Sequence, residues 1–294
     1  MSWWQLTIEC SQQEIGSTED ILLSLGALSL TLGDAHDEPI YEPPPGTTPF
    51  WSTTTITGLF EQTRSIEALY DDLVRLLPER QIASIRKHQL EDQQWERAFL
   101  DQFQPIPFGQ NLWICPSWQQ PPDPNACNII LDPGIAFGTG THPTTALCLQ
   151  FLAQHPPLDK SVLDFGCGSG ILAIAAYKLG AHSVRCTDID PQALLASEEN
   201  ARRNNIEPAR LHITLPAEMD NTPVDYLLAN ILSGPLVELE PQLAALTKPG
   251  AQLVLSGILS QQAESVMQAY AHDFELDALT TESGWCRISG IRKS

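Results

Sequence analysis

The first chemical signal is the run Val162-Leu163-Asp164-Phe165-Gly166-Cys167-Gly168-Ser169-Gly170. An apolar strand passes straight into an apolar helix through three alternate glycines, which allow a tight turn and let a ligand approach backbone where a Cβ would collide. Asp164 places a carboxylate at the end of that strand, and a second carboxylate, Asp188, ends the next one. Gly168-Ser169-Gly170-Ile171-Leu172-Ala173 also fits the GxGxxA form of a dinucleotide site, so the glycines alone leave two cofactor classes open. Asp188 suits a ribose diol in either class. Asp164 separates them, because a carboxylate there repels a pyrophosphate but can receive an ammonium group. S-adenosyl-L-methionine has an ammonium, a ribose and no phosphate, and so meets both requirements. A nicotinamide dinucleotide meets only the ribose requirement. The absence of any Gly-Lys dipeptide excludes the P-loop of a nucleoside triphosphatase. Asp190-Pro191 reads as an N-cap followed by proline at the first helical position.

These residues need a scaffold, and the pattern around them supplies one. Strands are expected at 162–164, 183–188, 210–215, 224–230 and 251–256, with helices at 170–179, 191–204, after Gly234 and at 261–272, and two last strands near 274–279 and 285–290. Strands alternating with helices of 10 to 15 residues give an α/β fold, a doubly wound Rossmann-like sheet whose ligands bind beyond the carboxyl ends of the strands. The first part of the chain has another rhythm. Strands at 3–10, 28–32, 53–61 and 82–90 and helices at 14–25 and 65–77 follow the order βαββαβ, the arrangement of a smaller α+β ferredoxin-like domain. Expected boundaries are 1–92 for this domain, 93–125 for a linker helix and connecting segment, and 126–294 for the cofactor-binding catalytic domain.

Composition narrows the classes of partner. The 294 residues carry 16 Lys plus Arg against 36 Asp plus Glu, a formal charge of −20, which opposes non-specific nucleic-acid binding because that affinity comes largely from counterion release by basic side chains. A basic partner is allowed. Seven cysteines without a CxxC pair suit reduced thiols in a cytoplasmic protein, and the seven histidines show no metal-ligand spacing, so no metal is expected. Neither a signal peptide nor an apolar run of membrane-spanning length is apparent.

Ahead of the glycine loop stands Leu131-Asp132-Pro133-Gly134-Ile135-Ala136-Phe137-Gly138-Thr139-Gly140-Thr141-His142-Pro143-Thr144-Thr145; beyond it come Asp188-Ile189-Asp190-Pro191 and Ala229-Asn230-Ile231-Leu232. With these segments the chain resembles the class I methyltransferases, and more narrowly the bacterial enzymes that methylate ribosomal large-subunit protein eleven. The resemblance spans the whole chain and implies that the small domain recognises the substrate. It also implies that Thr145, Gly166, Asp188 and Asn230 hold or border S-adenosyl-L-methionine, beside Asp164 and Gly168 from the loop itself. Phe137, flanked by glycines, is placed to cover the site, while His142 caps the helix starting at Pro143.

Asn230 is the one residue expected to act catalytically, by accepting an N–H of the acceptor amine and directing its lone pair. Many amine and amide methyltransferases carry Asn-Pro-Pro-Tyr there; Asn230-Ile231-Leu232-Ser233 lacks the aromatic that packs beside a planar amide or base. The resemblance implies methylation of lysine side-chain and N-terminal amines of the ribosomal protein; a monomer is expected. A class I methyltransferase with another protein substrate, an NAD-dependent oxidoreductase and a catalytically idle binding module remain the alternatives.

Overall fold

The computed structural model describes residues 3–36, 51–62, 65–132, 142–207 and 209–294 with the exception of 91–103. The chain divides into two compact units, Met1–Gln102 and Phe103–Ser294.

In the first unit, β1 (Trp3–Cys10), β2 (Ser29–Asp34), β3 (Thr54–Glu61) and β4 (Arg86–Leu90) form an antiparallel sheet in the order β2-β3-β1-β4. That is the ferredoxin-like order. Alternation along β1 buries Leu6, Ile8 and Cys10, which join Leu22 of α1 (Ile15–Ser24) and Leu69 and Leu73 of α2 (Ile66–Leu76) in one core. Ser65 caps α2 by accepting the Ala68 N–H at 3.2 Å.

The strand expected over 82–90 begins later, because α3 (Glu79–Ser84) takes its first residues. Pro78 starts that turn, and the buried Gln81 donates its amide to the Thr18 hydroxyl at 2.9 Å. Ser84 then closes the helix by accepting the Glu9 N–H at 3.0 Å. A side chain spent on tertiary hydrogen bonds outweighs the local strand preference of Ile82 and its neighbours.

The second unit is built on an eight-stranded sheet among the described residues, in the order β10-β9-β8-β11-β12-β15-β13, with β14 on β15. Its parallel strands are β8 (Ser161–Phe165), β9 (Ser183–Thr187), β10 (Leu211–Thr214), β11 (Val224–Asn230) and β12 (Thr247–Leu259). β13 (Phe274–Leu276), β14 (Thr280–Glu282) and β15 (Trp285–Arg292) complete it in antiparallel sense. One face is covered by α4 (Pro143–Gln154), α5 (Ile171–Lys178) and α6 (Pro191–Arg203), the other by α7 (Ser233–Glu238), α8 (Glu240–Ala245) and α9 (Ala263–Tyr270). Both faces being covered explains why β8 and β11 read as nearly continuous apolar runs.

Residues 104–125 are not a bare connection. β5 (Ile106–Phe108), β6 (Leu112–Cys115) and β7 (Cys127–Ile130) make a three-stranded sheet whose Phe108, Leu112, Ile114 and Ile129 enter the same core as α4 and α5. The described part of the segment expected to connect domains over 93–125 therefore belongs to the second unit. Its strands are three and four residues long, too short for periodicity to register. Among the described residues no helix is long and apolar enough to cross a membrane.

Candidate functional site

The parallel strands β9, β8 and β11 lie side by side, so their carboxyl ends bring Asp188, the glycine loop and Asn230 to one edge of the sheet. Pairing of Ala229 with Phe165 sets Asn230 directly beside the loop.

Each loop group has a defined partner. The N–H groups of Gly166 and Cys167 both donate to the Thr187 carbonyl, at 2.8 and 3.0 Å, and that of Gly170 donates to the Cys167 carbonyl at 2.8 Å. The Gly168 N–H donates to Asp188 Oδ2 at 2.9 Å, while Asp188 Oδ1 accepts the Asp190 N–H at 3.0 Å. From α6, the Ser197 hydroxyl donates to the Gly168 carbonyl and the Asn200 amide to the Ser169 carbonyl, each at 2.9 Å. Gly166 adopts φ +78°, and a Cβ there would lie 2.2 Å from Ile231 Cγ2. Only glycine fits this position without moving the residue after Asn230.

This arrangement bears on the choice of cofactor. A pyrophosphate is normally held by unengaged backbone N–H groups at the start of a helix. Here the N–H groups of Gly166, Cys167, Gly168 and Gly170 are spent inside the protein, and the Gly168 N–H is covered by the Asp188 carboxylate. The loop presents negative charge where a dinucleotide would need donors.

Three buried side-chain oxygens on these adjacent strands have no hydrogen-bond partner among the described residues: Asp164 Oδ1, Thr187 Oγ1 and Asn230 Oδ1. Buried polar atoms are nearly always satisfied, so Asp164 Oδ1 and Asn230 Oδ1, which share a face of the sheet, mark a place where a ligand's donors fit, while Thr187, in register with Phe165, lies on the opposite face. Asp164 is 1% exposed, and its Oδ2 accepts the Ala173 N–H at 3.0 Å, in the first turn of α5. Burial pushes its carboxyl up to about 7; the Ala173 bond opposes this and the nearby Asp188 charge adds to it. Asn230 donates its amide to the Thr145 hydroxyl at 3.3 Å, joining β11 to the first turn of α4. His142 caps that helix as expected: its Nδ1 accepts the Thr144 N–H at 3.4 Å and lies 2.8 Å from the Thr144 hydroxyl.

Of the residues singled out in the sequence, Asp164, Gly166, Gly168 and Asp188 share the loop, while Thr145 and Asn230 meet across it. Phe137, with Thr139 and the glycines around it, lies outside the described residues. Sequence reasoning passed over Ser197 and Asn200, which face the loop from one turn of α6, and Gly257, whose φ of +86° places its missing Cβ 2.2 Å from the Ile231 carbonyl oxygen. The i, i+3 spacing of two small polar residues in a helix was the available signal for the first pair. Nothing local marks Gly257.

Residues 2–293 match the model of the family described as "Ribosomal protein L11 methyltransferase (PrmA)". The chain belongs to that family. A protein from Azotobacter vinelandii named ribosomal protein L11 methyltransferase is 53% identical over 297 residues, covering 100% of both chains. One of the same name from Marinobacter nauticus is 50% identical, covering 100% of this chain and 99% of its own. The crystal structure of a ribosomal protein L11 methylase from Lactobacillus delbrueckii subsp. bulgaricus is 37% identical and superposes with a TM-score of 0.60, over 65% of this chain and 100% of that one. The family resemblance and the Rossmann-like methyltransferase sheet read from the sequence are both borne out. Membership extends over both compact units of the chain.

Proposed function

We propose that this family member transfers methyl groups from S-adenosyl-L-methionine to lysine side-chain and N-terminal amines of ribosomal protein L11. The observation that carries the reading is the Asn230–Thr145 pair, 3.3 Å apart, at the strand end beside the glycine loop, with an unused buried acceptor on Asn230. Family membership over nearly the whole chain supports the substrate.

The residues fit the cofactor group by group. Asp188 offers two carboxylate oxygens to a ribose diol, and Ile189 beside it, 85% exposed, offers an apolar face to a purine. Asp164 Oδ1 is a buried acceptor for an ammonium, and the first turn of α4 at Thr145 suits a carboxylate. When bound, the cofactor supplies an electrophilic methyl group on a sulfonium. The protein's part is alignment and desolvation. A free lysine is neutral only about once in 2,500 at pH 7, and burial lowers its pKa towards the neutral, nucleophilic form. Asn230 Oδ1 then accepts one remaining N–H and aims the lone pair, held in place by the Thr145 hydroxyl. A net charge of −20 favours a basic substrate over nucleic acid. The protein acts as a cytoplasmic monomer, and its ferredoxin-like unit recognises L11.

Incubation with methyl-labelled S-adenosyl-L-methionine and a mixture of purified large-subunit proteins tests this directly. Label should accumulate on L11 amines. Label on another protein points to a different substrate, and cofactor binding without transfer to any protein points to an idle binding module; either overturns the reading.

The Asp164 carboxyl gives a second expected result. With its pKa pushed up to about 7 by burial, it is neutral below that pH and charged above it. An ammonium ligand prefers the charged form, so cofactor affinity should fall as pH drops from 8 to 6, approaching about tenfold per pH unit below 7. Isothermal titration should also show proton release near pH 6.5, and Asp164→Asn should abolish both effects. A parent affinity that is flat from pH 6 to 8 removes Asp164 from the ammonium's surroundings.

A further inference from the structure

The strand order sets out the site as a line. Asp188 follows β9, Asp164 is the last residue but one of β8, Asn230 ends β11, and β12 and then β15 continue on the side away from the nucleotide end. β15 runs antiparallel to β12, so its first residue, Trp285, lies at the same edge of the sheet, opposite Leu259. Trp285 shares a strand face with Arg287, whose guanidinium donates to the Leu147 carbonyl of α4 at 3.3 Å. The indole is therefore on the α4 side. Its ring meets the imidazole of His142 edge-on, with centroids 4.9 Å apart and planes at 68°. His142 caps α4, three residues before Thr145. The N-terminus of α4 is thus bracketed by Asn230 on one side and Trp285 on the other.

The position of this tryptophan is built with care. The pairing of β12 with β15 slips between Leu255 and Ile258, around Gly257. Bulges of this kind re-aim side chains at the rim of a site. On either side of Trp285 the backbone is tied down: the buried Ser256 hydroxyl donates to the Cys286 carbonyl at 3.0 Å, and the Ser260 N–H donates to the Gly284 carbonyl at 2.9 Å. Trp285 itself is half-buried, its indole set between these backbone ties and His142.

We propose that Trp285, braced by His142, is a positioning residue for the acceptor amine, forming the wall along which an alkylammonium side chain reaches the Asn230–Thr145 pair. This rests on the methyl-transfer reading given above. An aromatic face attracts an ammonium and the methylenes bearing it, and the attraction persists as methyl groups replace hydrogens, because the charge remains while the cation becomes less hydrated. The wall therefore holds a partly methylated amine for another turnover as well as the first.

The test compares Trp285→Leu, which keeps apolar bulk without a π face, and Trp285→Phe with the parent enzyme. Readouts are steady-state kinetics on intact L11, cofactor Kd and the mass distribution of methylated products. Trp285→Leu is expected to lower kcat/KM for L11 about tenfold, to shift products towards fewer methyl groups per site, and to leave cofactor Kd within twofold. Trp285→Phe should recover most of both losses. Parent-like kinetics and product distribution in Trp285→Leu overturn the proposal. So does a loss of cofactor affinity matching the loss of turnover, since that marks a general structural role. If the parent itself labels no amine of L11, the methyl-transfer reading has failed, an outcome distinct from either.

Discussion

Replacing Asp188 with alanine is expected to weaken S-adenosyl-L-methionine binding by about 100-fold or more. The Asp188 carboxylate is already fixed by the Gly168 and Asp190 N–H groups, at 2.9 and 3.0 Å, so its remaining lone pairs are oriented before any ligand arrives. A hydrogen bond to a charged group contributes about 1.5–3 kcal/mol, and two ribose hydroxyls on one carboxylate therefore account for about 3 kcal/mol or more. That converts to roughly two orders of magnitude in Kd. The substitution also removes the acceptor of the Gly168 N–H, which loosens the loop proposed to receive the cofactor. Asp188→Asn keeps one acceptor oxygen and should fall between parent and alanine variant. Titration calorimetry with the cofactor or its demethylated product measures this, and an alanine variant within threefold of the parent would show that the ribose is held elsewhere.

Gly257→Ala should damage both stability and turnover, although Gly257 carries no chemistry. Its missing Cβ would stand 2.2 Å from the oxygen, 2.7 Å from the carbon and 3.1 Å from the nitrogen of Ile231, all backbone atoms, and φ is +86°. A flexible side chain can swing away, but a backbone cannot, so the segment following Asn230 has to move. Overpacking together with an unfavourable φ costs about 3 kcal/mol. For a unit of this size that corresponds to a fall in Tm of roughly 6–12 °C. Displacing Ile231 also displaces Asn230, so kcat should drop by about tenfold or more even at temperatures where the variant remains folded. Differential scanning calorimetry and single-turnover kinetics check the two parts separately. A variant melting within 2 °C of the parent with unchanged kcat would mean that the Ile231 segment yields easily.

These two residues differ sharply in how readable they are. Asp188 stands at the end of an apolar strand one βα unit after a glycine loop, a position defined by local spacing, and the order of elements around it follows from hydrophobic period. The ferredoxin-like order was legible for the same reason. Gly257 is a glycine inside a long strand, and its meaning comes from the approach of Ile231, a residue just past the end of β11. Ser197 and Asn200 are similar, since their importance lies in loop carbonyls reached only after folding. The short strands β5 to β7 escaped notice because Pro107 and the prolines after Cys115 look like loop, while the burial of Leu112 and Ile114 is decided by α4 and α5. Asp164 was legible as a carboxylate beside the glycine loop. Its near-complete burial was not, because that depends on α5 closing over the strand end.

The inner face of α6 has a bearing on how such a site can be transplanted. Ser197 and Asn200 hold the carbonyls of Gly168 and Ser169, and Asn204, one turn further, uses its side chain to receive the Ile130 N–H and to donate to the Ile130 carbonyl, both at 2.8 Å. One polar stripe thus works as a jig, gripping the glycine loop at one end and the edge of β7 at the other. A designer who grafts the loop sequence alone onto another sheet carries over the piece without its clamp. Grafting it with the Ser-x-x-Asn-x-x-x-Asn face transfers the shape as well as the sequence.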